Sequence, residues 1–154
     1  MNRRFPLVLV SLALLAAPAF AEDDPMSPLA IRKRSFADMG AAFKAINDQM
    51  KQPRPVMMLV KAYAQQLVRY SKEPAPGVWF APGSGPAPGV KTSAKTEIWS
   101  RPDEFNKLWA AYGVQANKLL AAAAARDADA VSQAVKDTGA SCAACHRAFR
   151  SDDK

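Results

Sequence analysis

Apolar residues along the chain recur at steps of three, four and seven, the spacing that gathers them on one face of an α-helix. The first such run opens at Ser27-Pro28, a hydroxyl cap followed by a proline in the first turn. It carries Leu29, Phe36, Met39, Phe43, Ile46 and Met50 and stops before Pro53. A second run follows Pro53-Arg54-Pro55 with Val56, Leu59, Tyr63, Leu67 and Tyr70 as its stripe, and ends near Glu73-Pro74. The third opens around Ser100-Arg101-Pro102-Asp103 and holds Phe105, Leu108, Trp109, Tyr112, Ala116 and Leu119. After an alanine tract, Asp127 or Asp129 caps a fourth, whose seam is Val131, Val135, Thr138, Cys142, Cys145 and Phe149. No segment alternates with the period of two that marks a strand, and no internal repeat is present. Four narrow seams predict an all-α protein, an up-down-up-down antiparallel four-helix bundle.

One connection breaks the economy of such a bundle. Residues 74–95 are rich in Pro, Gly and Ser and form a single long loop between the second and third helices. Val78, Trp79 and Phe80 are apolar enough to pin it against the bundle. At the other extreme, the first 21 residues read as an export signal: a positive MNRR, a short apolar run, then Ala19-Phe20-Ala21 before acidic residues. Cleavage there leaves residues 22–154, long enough for one domain with a real core. The leader has a bacterial character, so the product is expected in the periplasm, without stable membrane insertion.

Charge adds less. Without Arg3 and Arg4, Lys and Arg fall from 21 to 19 against 14 acidic residues, a net charge of +5. The densest basic run, Arg32-Lys33-Arg34, has no interleaved aromatics and reads mainly as a solvated helix face, so no nucleic-acid partner is expected.

The chemistry is concentrated at the end of the fourth seam. The only two cysteines, Cys142 and Cys145, and the only histidine, His146, occupy five consecutive positions. Residues three and four apart share a helix face, so two sulfurs and an imidazole project from one turn. Cys-x-x-Cys-His in this form is the pattern of covalent haem attachment: two thioethers hold the porphyrin edge and the adjacent His reaches the iron. A structural zinc site wants four ligands, and only three of this kind exist. A thioredoxin-like pair needs a βαβ setting that is absent. A disulfide between positions i and i+3 of a continuous helix is awkward and leaves His146 idle, and two unmodified core cysteines are unusual in an oxidising compartment. For a sixth iron ligand the sequence leaves Met39, Met50, Met57, Met58 or none. No catalytic residue and no enzyme activity are expected, because the sole His is already used and no acid–base pair remains.

With these residues assembled, the chain resembles the cytochrome c′ and cytochrome c-556 family, the class II c-type cytochromes, over nearly all of residues 28–150. The resemblance rests on Cys142-Ala143-Ala144-Cys145-His146-Arg147-Ala148-Phe149-Arg150 at the C-terminus, on Glu97-Ile98-Trp99-Ser100, and on Ile31-Arg32-Lys33-Arg34-Ser35-Phe36. It implies one haem c with His146 as proximal ligand, a propionate contact at Arg32, and Arg150 one turn beyond the axial His. It places Phe36 where low-spin members carry a ligating Met, so five-coordinate high-spin iron is expected. It also implies a homodimer, with a role in electron transfer to an unidentified redox partner protein or in binding a small gas such as nitric oxide.

Overall fold

The computed structural model describes residues 24–72 and 77–152. It contains α1 (Pro28–Met50), α2 (Met57–Lys72), the single turn α3 (Glu97–Ser100), α4 (Pro102–Ala125) and α5 (Ala128–Phe149). The four long helices form the expected bundle, and α3 is a short addition just before α4. The proposed leader and the end of the second run at Glu73-Pro74 lie outside the described residues. Among the described residues, no helix is long and apolar enough to cross a membrane.

The helix starts follow from local chemistry. Ser27 Oγ accepts the Ala30 N–H at 3.2 Å ahead of Pro28. Of the two aspartates offered for the last helix, Asp127 is the cap: its carboxylate accepts the Ala130 N–H at 2.9 Å. Only Arg126 and Asp127 separate α4 from α5, and Arg126 turns the chain with a left-handed φ of 57°. So short a connection forces the two helices to lie antiparallel.

The core runs along the bundle through Ile46, Val60, Ala64, Leu67, Ala116, Leu119 and Val131, all buried. Two seams differ from the sequence pattern. On α2 the inner face is Val60, Ala64, Leu67 and Val68, while Leu59 and Val56, the residue just before the helix, are exposed. Small Ala64 lies against the core where the bulkier neighbours suggested a different rotation of the helix. On α1, Arg32 is not on a solvated face: it is 4% exposed and shares the buried side with Leu29, Ser35, Met39 and Ala42. Lys33 and Arg34 are exposed, as the pattern of the basic run predicted.

Helix α4 packs closely against both α2 and α5, and α1 packs on α2, whereas α1 and α5 touch only sparsely. One contact between them is at Gly139, where a Cβ would stand 3.4 Å from Phe43 Cζ, in van der Waals contact. The long loop is tied down as anticipated. Trp79 is buried, and the rings of Trp79 and Phe80 meet Phe36, Tyr70, Phe105 and Trp109 edge-on. Its last residues pair with the end of α5 through an isolated Ala94–Arg150 bridge, with Lys95 N donating to Phe149 O at 2.9 Å and Ser151 N to Ser93 O at 2.8 Å.

Two substitutions test this packing. Leu119→Ala should cost about 2–5 kcal/mol, the range for truncating a fully buried leucine, and Asp127→Ala should cost about 1 kcal/mol through the lost cap. Urea unfolding midpoints of the two variants against the parent check both values.

Candidate haem site

Where α1 and α5 stand apart, a cavity of about 870 Å³ opens, walled by these two helices, α4 and the long loop. That volume lies within the roughly 300–1,000 Å³ of pockets that take cofactors. Cys142, Cys145 and His146 all line it, from the last turns of a helix continuous to Phe149. Both cysteines are half-buried and no disulfide joins them. Burial pushes the Cys142 thiol up, and burial together with the neighbouring Cys142 pushes Cys145 up to about 11. His146 is exposed, yet partial desolvation and then the charge of Arg150 lower its pKa.

Across from this turn, α1 presents Phe36, Met39, Gly40 and Phe43 to the cavity. Phe36 sits in an aromatic cage, with ring centroids 5.5 Å from Trp79, 6.2 Å from Phe80 and 6.0 Å from Trp109. Such edge-on contacts hold a ring in one orientation. Met39 is 8% exposed and lines the same space. Met50, Met57 and Met58 do not.

Charge is as one-sided as shape. Arg32, Lys33, Lys91 and Arg150 line the cavity, and no Asp or Glu does among the described residues. The wall is therefore aromatic and apolar with cations available for acidic groups at its edge. The four sides together fit a flat apolar macrocycle with carboxylate tails, held by two sulfurs and one imidazole. Zinc fits less well: among the described residues, no three His, Cys, Asp or Glu side chains converge as a metal site.

All six residues named from the sequence thus line one cavity: Cys142, Cys145, His146, Arg150, Phe36 and Arg32. Sequence reasoning missed the loop's contribution. Phe80 and Val90 to Ala94 form part of the wall, and Phe105, Trp109 and Tyr112 close it from α4. The α4 residues were visible as a stripe, but a stripe does not say whether it faces other side chains or a cofactor. The loop residues carried no periodic signal at all.

Comparison with known proteins agrees with this arrangement. The family model described as Cytochrome C′ matches residues 27–150. Cytochrome c′ of Alcaligenes xylosoxydans xylosoxydans is 33% identical over 127 residues, covering 82% of this chain and 94% of the relative. A solved cytochrome c′ described as having an unusual ligand-controlled dimer dissociation superposes with a TM-score of 0.76 at 26% identity, covering 83% of this chain and 97% of that one. The nitric oxide complex of a variant cytochrome c prime from Alcaligenes xylosoxidans superposes with a TM-score of 0.71 at 31% identity, covering 82% and 94%. With its Cys-x-x-Cys-His turn opening onto a cavity between α1 and α5, this chain belongs to the cytochrome c′ family and binds one covalent haem c.

Proposed function

We propose that the protein is a periplasmic electron carrier whose haem is held through Cys142 and Cys145, with His146 as the only protein ligand to iron. The observation that carries this reading is the pairing of two walls of one cavity: a turn with two thiols and an imidazole on α5, and a caged phenyl ring on α1. Bound haem supplies an iron that cycles between ferric and ferrous states and takes a small ligand on an open face. Around it this chain's residues divide the work. The thiols would hold the macrocycle edge and His146 would supply an imidazole nitrogen to the iron, while Phe36 lines the α1 wall of the cavity with carbon atoms that cannot coordinate. Arg150 follows the end of α5 in extended backbone and lines the same cavity as His146. Arg32 in the wall and Lys33 and Lys91 on exposed positions add positive charge that favours the haem carboxylates.

The same cations suit an electron carrier, since a basic opening concentrates acidic partners by long-range attraction. Binding of nitric oxide is the second reading. It is favoured by a distal wall that offers a ring in place of a donor, and by likeness to a relative described as a nitric oxide complex. A homodimer fits too, through the faces of α1 and α2, where Val56, Met58 and Leu59 are exposed together at the start of α2.

Phe36→Met should convert the ferric protein from a high-spin to a six-coordinate low-spin absorption spectrum, because a thioether then stands where the phenyl ring was. An unchanged spectrum would remove Phe36 from the face of the iron. Oxidation of the ferrous protein by ferricyanide, an anion, should slow as salt rises, and oxidation by the tris(phenanthroline)cobalt(III) cation should quicken, because salt screens attraction and repulsion alike. Stopped-flow rates between about 0.01 and 1 M ionic strength, over which the screening length falls from about 30 to 3 Å, give the comparison. Leu59→Glu should shift the sedimentation coefficient to that of a monomer, whereas an unaltered dimer would move the interface off α2.

A further inference from the structure

Arg32 does something in this fold that its place in the family motif does not describe. Its NH1 donates to Trp79 O at 3.0 Å and to Ser84 Oγ at 3.2 Å, and its NH2 to Ser84 O at 2.9 Å and Thr92 Oγ1 at 3.0 Å. The guanidinium carbon also lies 4.9 Å from the ring centre of Phe80 and 5.8 Å from that of Trp99. Trp99 in turn donates its indole N–H to Phe80 O at 2.9 Å. Every one of these acceptors is in the long loop, and Trp99 follows it in α3. A guanidinium has five N–H groups, and four hydrogen bonds here go to the loop. All four go to carbonyl and hydroxyl oxygens, and two ring faces flank the charge in a buried site. Burial lowers its pKa to about 10, which still leaves it charged at neutral pH.

The consequence is mechanical. Just beyond Thr92 the chain pairs with the end of α5 at Ser93, Ala94 and Lys95. Arg32 therefore links α1 to the loop, and the loop links to the helix that carries Cys142, Cys145 and His146. Phe80 and residues 90–94 of this same loop are cavity wall. We propose that Arg32 is a positioning residue that clamps residues 79–92 as a wall of the cavity and so limits the rate at which a diatomic ligand enters. The proposal rests on the reading of an open iron position inside that cavity.

The test uses the holoprotein and two readouts, amide hydrogen exchange at Ser84 and Val90 and the association rate of carbon monoxide with the ferrous form. The variants are Arg32→Gln, Arg32→Lys, and the loop-side pair Ser84→Ala with Thr92→Val, which removes two hydroxyl acceptors without touching α1. The pair is measured against Ser84→Ala and Thr92→Val in an Arg32→Gln background, where the loss of the Ser84–Ala81 and Ala94–Thr92 bonds is the only remaining effect. Arg34→Gln on the exposed face of the same helix is the control. Exchange should rise at least about tenfold in Arg32→Gln, the factor that one charge-assisted hydrogen bond is worth, and the carbon monoxide rate should rise with it. The loop-side pair should move both readouts the same way, and Arg32→Lys should not restore them, because a single ammonium cannot span three acceptor residues. Unchanged exchange in both the Arg32 and the loop-side variants overturns the clamp. Faster exchange with an unchanged carbon monoxide rate overturns the control of access and reduces Arg32 to a stabilising contact. If wild-type ferrous protein takes up no carbon monoxide, the open-iron reading fails and the access claim with it, while exchange still decides the clamp. Should Arg32→Gln not fold, the loop-side pair decides between these outcomes.

Discussion

Everything in this structure depends on two helices that do not close on each other. In a bundle with native packing density, facing seams interdigitate and leave little room. Here α4 meets both α2 and α5 tightly, but α1 and α5 are held apart except at points such as Gly139 and Phe43. The space between them is lined by aromatic rings and by the only two cysteines and the only histidine in the sequence. A flat apolar cofactor in that place would add to the hydrophobic core, with the last turns of α5 to hold its edge.

That arrangement explains why the motif stands at the C-terminal end of a helix and why the chain then turns back. Arg150 leaves the helix in extended backbone, its N–H donating to His146 O, and the following residues pair with the end of the long loop. The loop is thus not a slack connection. It is sewn to α5 at one end, to α1 through Arg32 in the middle, and to the aromatic cluster by Trp79 and Phe80. Loops of this length in compact domains are usually functional, and here the function is to complete a wall that four straight helices cannot supply.

Much of this was legible in the sequence because periodicity and capping report local physics. Ser27-Pro28 and the seams of α4 and α5 could be read off directly, and the cap of α5 was narrowed to Asp127 or Asp129, since each depends only on near neighbours. The haem turn was legible for the same reason: three ligand types within five residues must share a helix face. Two features were not. The rotation of α2 was misjudged because Val56 and Leu59 are apolar yet exposed, while Ala64, a weak signal, is fully buried. Arg32 looked like one of three solvated cations, although its spacing from Leu29, Ser35 and Met39 already set it on the inner side. What its burial required was a set of acceptors from residues 79–92, and nothing in the sequence ties a proline- and glycine-rich loop to a particular guanidinium.

The central claim is that a single haem is bonded to Cys142 and Cys145 and faces no protein ligand opposite His146. The absorption spectrum of the exported ferric protein, taken with its intact mass, tests this most directly. The account predicts a mass increased by one covalent haem and a five-coordinate high-spin spectrum. A colourless product from a host competent for cytochrome maturation, or a six-coordinate spectrum with methionine bound, would contradict it.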